Sequence, residues 1–320
     1  MAELKIISMD EVQSKEVNWL WYPYIPYGKI TIIQGDPGEG KTTLALRLAA
    51  LFSKGEALPY DDTEREPVKI IYQTAEDGLE DTIKPRLESA EADCTQIKVI
   101  DESEAALSML DDRIEKAIIE VGARVVILDP IQAYVGANIN MNNANEVRNV
   151  MAQLGRIAEK YDCAILLVGH MNKGSGNKSS YRGLGSIDFQ ASARSVLIVG
   201  RIKDNPQVRV MVQDKSSLAP EGEAIAFELD RENGFRWLGH YDISVDDLLS
   251  GIPREKKSEQ AENLILEYLS KGKYPQKELV KKAQAAGISK RVLDEAKKAL
   301  NVQSVKEGNQ WYWQLPEKTE

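Results

Sequence analysis

In the first two-thirds of the chain, apolar residues fall into short unbroken runs separated by stretches with helical spacing. The runs at 29–34, 69–73, 97–100, 125–128, 164–169 and 195–200 have the length of single strands. Being apolar at consecutive positions, they predict strands covered on both faces, as in a parallel sheet. Helical patterns are expected over 43–52, 79–92, 104–121 and 143–160, with Pro85 kinking or interrupting the second. Segments 207–213, 224–229 and 235–238 read as antiparallel strands closing one edge. The pattern predicts an α/β fold over 29–250, a doubly wound core with a β extension.

The flanks differ from this core. Residues 1–28 form a lead-in in which Trp19, Trp21, Tyr22, Tyr24 and Tyr27 are interleaved with Pro23 and Pro26, which rules out a regular helix. Such aromatics are expected to pack against the core, and one could also cover a bound base. A polar, proline-containing linker at 251–258 leads to helical patterns at about 259–270, 275–286 and 289–300, then two strand-like runs around Gly308 and Asn309. Three helices and a hairpin are the layout of a small winged helix-turn-helix-like domain, 259–320. Ser289 is the expected N-cap of the third helix, and Lys290, Arg291, Lys297 and Lys298 its exposed basic positions. Lys290, Arg291 and Lys297 are candidate nucleic-acid contacts. The same layout would also serve protein contact or oligomer formation.

Charge sharpens this division. Residues 254–320 hold 14 Lys/Arg against 10 Asp/Glu, which leaves 27 against 40 for the rest of a chain whose net charge is −9. A basic module on an acidic body suggests separate partners, although such a balance also simply solvates helices. Two cysteines, Cys94 and Cys163, give neither a disulfide framework nor a thiol metal site. An N-terminus with acids and no apolar signal core, together with the lack of an apolar run of membrane-spanning length, leads us to expect a cytoplasmic protein without membrane partners.

The chemistry is concentrated between the first strand and the first helix. Gly35, Asp36, Pro37, Gly38, Glu39, Gly40, Lys41 and Thr42 form a complete G-x-x-x-x-G-K-[ST] loop, followed by Thr43. Glycines let backbone N–H groups converge on phosphates at a helix N-terminus. Lys41 is expected to reach the β- and γ-phosphates of ATP, and the Thr42 hydroxyl to coordinate Mg²⁺. Asp129, expelled at the carboxyl end of the run Val125–Leu128, is the second expected Mg²⁺ ligand. Because Pro130 follows it, the catalytic base must lie elsewhere. Glu76, just past another strand end, is the best candidate and Asp77 the reserve; either could instead cap the next helix. The next strand delivers His170, a candidate γ-phosphate sensor. The glycine- and serine-rich segment after it carries Lys173, Lys178 and Arg182, candidates to grip a nucleic-acid backbone as the nucleotide state changes.

This ordered set, ending in Arg182-Gly-Leu-Gly-Ser-Ile-Asp188, resembles the RecA-like ATPases over roughly residues 15–240. It is most similar to the plasmid RepA-type hexameric replicative helicases and their phage and mobile-element relatives, and more distantly to the DnaB-type helicases. The resemblance implies a ring, usually of six subunits, with ATP between neighbours, Glu76 as base, His170 as sensor and single-stranded DNA in a central channel. It also implies a positive finger reaching a neighbour's γ-phosphate. Arg201 and Lys215 match, Arg194 is a further possibility, and the arginine of the DnaB-type Lys-x-Arg pattern is absent at Lys215-Ser-Ser217. A DNA-dependent helicase or translocase with a replication or recombination partner is therefore expected. The competing expectations are a filament-forming recombination or repair ATPase and a nucleotide-switched DNA-binding regulator or loader.

Overall fold

Of the five lead-in aromatics, Trp21 and Tyr24 belong to the core, whereas Tyr22 is exposed. In the computed structural model, which describes residues 6–136, 139–171, 188–230, 234–250, 257–270, 272–308 and 310–316, strands β1 (Trp19–Trp21) and β2 (Ile25–Pro26) pair antiparallel. Trp21, Tyr24 and Ile25 are buried. The Trp21 indole N–H donates to the Pro59 carbonyl at 3.1 Å and the Tyr24 hydroxyl to that of Glu223 at 2.7 Å. Burying these large rings therefore leaves their polar ends satisfied.

All six residues of β3 (Ile30–Gly35) are buried. Its side chains feed two apolar layers, Ile33 on one and Ile30 and Ile32 on the other. Two-sided burial explains why the sequence shows a continuous run here and not alternation. The chain continues through α1 (Lys41–Lys54), β4 (Ile70–Thr74), a π-helical turn at Leu79–Ile83 merging into α2 (Lys84–Ser89), β5 (Ile97–Lys98) and α3 (Asp112–Val121). Next come β6 (Val125–Asp129), α4 (Ile131–Tyr134), α5 (Ala144–Tyr161), β7 (Ala164–His170), α6 (Asp188–Ser192) and β8 (Ser195–Ile202). Three long strands, β9 (Asn205–Ser216), β10 (Ile225–Asp230) and β11 (Gly234–His240), and helix α7 (Val245–Ser250) complete a compact unit spanning residues 1–251.

The sheet order is β11-β10-β9-β8-β3-β7-β6-β4-β5. Strands β8 to β5 in that order run parallel, while β9, β10 and β11 add on antiparallel beside β8. Leu44, Leu48 and Phe52 of α1 pack on one face. Ile114 of α3, Ile131 of α4, and Val147, Val150 and Leu154 of α5 pack on the other. This is the doubly wound core with a β extension expected from the sequence.

One helix is shorter than its apolar pattern suggests: the segment expected over 104–121 becomes helical only at Asp112. The Asp111 carboxylate caps α3 by accepting from the Arg113 amide at 2.9 Å. Upstream, Leu107 and Met109 are buried, with the Leu107 amide bonded to the Glu102 carboxylate and the Met109 amide to the Tyr134 carbonyl. A local side chain and a distant carbonyl satisfy these amides in place of the helical ladder. Pro85 lies in the first turn of α2, where no intrahelical N–H is required.

The second unit, residues 252–320, contains α8 (Lys257–Leu269), β12 (Tyr274–Pro275), α9 (Gln276–Ala285), α10 (Lys290–Ala299), β13 (Gln303–Glu307) and β14 (Gln310–Gln314). The strand order β12-β14-β13 includes a short strand the sequence reading did not foresee. Ala261, Ile265, Leu279, Leu293 and Trp313 form its core. Ser289 caps α10, its hydroxyl accepting from the Val292 amide at 3.3 Å. Lys290 and Arg291 are exposed, whereas Lys297 is half-buried, donating to the Ser304 hydroxyl at 2.7 Å and lying 4.8 Å from the Trp313 ring centre. Among the described residues, no helix is long and apolar enough to cross a membrane.

Candidate nucleotide site

The phosphate loop bridges the last residue of β3, Gly35, and the first of α1, Lys41. Gly38 and Gly40 have φ of 79° and 91°, the left-handed region that disfavours side chains. A Cβ at Gly40 would stand 2.6 Å from Leu229 Cδ1, and one at Gly35 only 2.1 Å from the Val199 carbonyl oxygen. The loop is therefore clasped by β8 and β10 as tightly as glycine allows. No side chain caps α1, which leaves its first-turn N–H groups to a ligand. Lys41 is only 5% exposed, and its ammonium donates to the Asp36 carbonyl at 2.9 Å. Burial pulls its pKa down, and the carboxylates of Asp129, Glu39, Asp36 and Glu76 oppose that shift. The loop thus holds a cation inside its curl, suited to a phosphate chain.

Asp129 ends β6 at 6% exposure. Its carboxylate accepts from the Tyr72 hydroxyl at 3.0 Å. Burial raises its pKa, while the nearby Thr42 and Tyr72 hydroxyls and Lys41 favour the charged form. The oxygens of Thr42 and Asp129 near Lys41 are a donor set that fits Mg²⁺. Register explains the assembly: Gly35 pairs with His170 across β3 and β7, and Thr74 with Asp129 across β4 and β6. Adjacent parallel strands end at one rim, so residues far apart in sequence converge there.

Glu76 follows β4 with its side chain 65% exposed, its Oε2 3.9 Å from His170 Nε2. Asp77 instead pairs with Arg86 at 3.3 Å. Gly78, not either acid, occupies the cap position of the following turn. The Gln132 amide donates to the His170 carbonyl at 3.2 Å, a contact with no signal in the sequence. Tyr72 was also missed; its one trace is a hydroxyl within an apolar run.

The three finger candidates occupy different places. Arg201, at the carboxyl end of β8, donates from Nη2 to the Gly38 carbonyl of its own loop at 3.0 Å. Lys215 pairs in register with Val196 near the start of β8 and donates to the Gln190 and Ala191 carbonyls at 2.8 and 2.9 Å. Burial pulls its pKa down, with Arg194 adding to the effect. Arg194 precedes β8 on the same rim as Lys215. Lys173, Lys178 and Arg182 lie outside the described residues.

Residues 3–176, more than half of the chain, match the model of a family described as AAA domain. The chain belongs to the AAA domain family. Its match to the DNA repair protein RadA of Halalkalibacterium halodurans is 29% identical over 165 residues, covering 51% of this chain and 32% of that protein. RadA of Bacillus subtilis is 27% identical over 148 residues, 46% of this chain and 28% of the relative. The matched region thus spans about a third of the length of these curated relatives. Among solved structures, the ATPase domain of G40P aligns with a TM-score of 0.50 at 14% identity, covering 67% of this chain and 85% of that one. The fold of this AAA domain is that of a RecA-like P-loop ATPase. Membership implies a bound nucleotide, usually with Mg²⁺, and the loop, Lys41, Thr42 and Asp129 fit that role.

Proposed function

We propose that this chain is an ATP-hydrolysing DNA helicase or translocase of the RepA-type ring class, acting in phage or mobile-element replication. The observation that carries the reading is the split of charged groups between the two rims of the sheet. Lys41, Thr42, Asp129, Glu76 and His170 gather at one rim, whereas Lys215 stands near the start of β8. Val196 and Arg201 lie five residue steps apart along the strand, on the order of 17 Å at ~3.3 Å per residue. A catalytic cation so far from its own loop is suited to completing a neighbour's site, which a self-associated ring, six-membered in the class it resembles, would provide.

In this reading Lys41 and the α1 N-terminus bind the β- and γ-phosphates of ATP and offset the charge that develops there. Mg²⁺, held by Thr42 and Asp129, would supply further neutralisation of the phosphate oxygens. Glu76 takes a proton from the attacking water, and its neighbour His170 senses the change in charge at the base. His170 leads directly into the segment bearing Lys173, Lys178 and Arg182, proposed to hold single-stranded DNA, so a change at the base can reach the DNA grip. Lys290 and Arg291 of α10 offer a second basic surface for DNA or a partner protein.

The RadA matches favour a second reading, a repair or recombination ATPase that remodels strands as a filament. The test is steady-state ATP hydrolysis with and without single-stranded DNA at two salt concentrations, with Lys41→Ala as control. Salt-sensitive stimulation supports a nucleic-acid motor; Lys41-dependent hydrolysis indifferent to DNA refutes it and favours a nucleotide-switched regulator. Closed rings in electron micrographs support the helicase, and filaments tracking DNA length the repair ATPase.

A further inference from the structure

Arg201 of β8 lies directly opposite Arg209 of β9, and Arg209 opposite Phe227 of β10. Directly opposed side chains share a sheet face, and Phe227 packs in the same apolar layer as α1. Both guanidinium groups therefore sit on the face where α1 begins. Like charges directly opposed on a sheet repel, and a helix N-terminus adds partial positive charge of its own. Arg209 is buried, and its Nε has no hydrogen-bond partner among the described residues. Glu39, in the phosphate loop, relieves the pair: its Oε2 is 3.7 Å from Arg201 Nε. Arg201 Nη2 also holds the Gly38 carbonyl, yet the Arg201 side chain remains 40% exposed. A guanidinium carries five N–H donors, and these two contacts leave several for a further anion. Two arginines beside Glu39, at the tip of a phosphate-binding loop, make a site with capacity for further negative charge.

We propose that Arg201, backed by Arg209, contacts the triphosphate of the nucleotide bound to its own chain, and that Glu39 occupies the guanidinium until those phosphates arrive. The inference deepens the ATPase reading and rests on it. It assigns Arg201 a role in cis, leaving the role in trans to Lys215.

Calorimetric titration of the full chain with ATP and Mg²⁺ provides the test. Arg201→Ala is expected to weaken ATP binding about tenfold, equivalent to ~1.4 kcal/mol, whereas Arg236→Ala, on the exposed strand β11, keeps wild-type affinity. Glu39→Ala should bind ATP at least as tightly as wild type, because it frees the guanidinium and removes a negative charge near the phosphates. Loss of affinity in Glu39→Ala equal to that in Arg201→Ala would mean that the arginine merely braces the loop, and would overturn the proposal. Mixing Arg201→Ala with Lys41→Ala subunits gives a second readout. Hydrolysis no higher than in the separate variants is expected, and recovery would place Arg201 in trans and refute the cis role. Failure of the unsubstituted chain to bind ATP would instead refute the reading of the loop itself.

Discussion

Tyr72→Phe isolates a single hydroxyl in the candidate site. The Tyr72 ring is fully buried in the layer that carries α1, and its hydroxyl donates to Asp129 Oδ2 at 3.0 Å. Phenylalanine keeps the ring and opens no appreciable cavity, so the loss is confined to the bond. A hydrogen bond to a charged group contributes ~1.5–3 kcal/mol, and a domain of this size shifts its melting temperature by ~2–4 °C per kcal/mol. A fall of roughly 3–12 °C follows from those two ranges. The functional effect should be larger and more specific, because the hydroxyl fixes the carboxylate offered as a Mg²⁺ ligand. Loss of an outer partner of a metal ligand typically costs ~10–100-fold in metal affinity. The assay is ATP hydrolysis across a Mg²⁺ titration, paired with nucleotide binding in EDTA. The Mg²⁺ midpoint should rise at least tenfold while metal-free binding stays unchanged. An unchanged Mg²⁺ midpoint in a folded variant would refute the claim that Tyr72 positions Asp129.

Other substitutions probe separate parts of the site. Gly35→Ala drives a Cβ to within 2.1 Å of the Val199 carbonyl oxygen; with backbone on both sides of the clash, a loss of about 3 kcal/mol is expected by thermal or urea unfolding. Wild-type stability would show that the loop is less tightly clasped than described. Glu76→Gln should retain ATP binding and lower turnover by ~10²–10⁴-fold, and wild-type turnover would shift the role to Asp77. Burial pushes the Cys163 thiol up to about 12, whereas Cys94 is partly exposed. At pH 8 a thiol reagent should therefore label one cysteine in the native chain and two in denaturant; rapid labelling of both in the native chain would contradict the burial of β7's leading edge.

Much of the ATPase core was legible because its information is local. The unbroken apolar runs identify strands buried on both faces, and the loop from Gly35 to Thr42 needs glycine, lysine and threonine at fixed spacing. Asp129, Glu76 and His170 could be singled out because each follows such a run. The helix expected over 104–121 begins later because apolar spacing cannot report that the Leu107 amide bonds to the Glu102 side chain just upstream and the Met109 amide to the distant Tyr134 carbonyl.

The sequence by itself determined a phosphate-binding loop between a strand and a helix, and a RecA-like order of motifs around it. Only the tertiary structure decided which side chains meet. Strand order and register bring Tyr72 onto Asp129 and Glu76 beside His170, set Arg201 against its own loop, and carry Lys215 toward the opposite rim. Linear spacing fixes backbone geometry within an element, but contacts between elements depend on which strands pair and in which register, and that is settled by burial of the whole sheet at once.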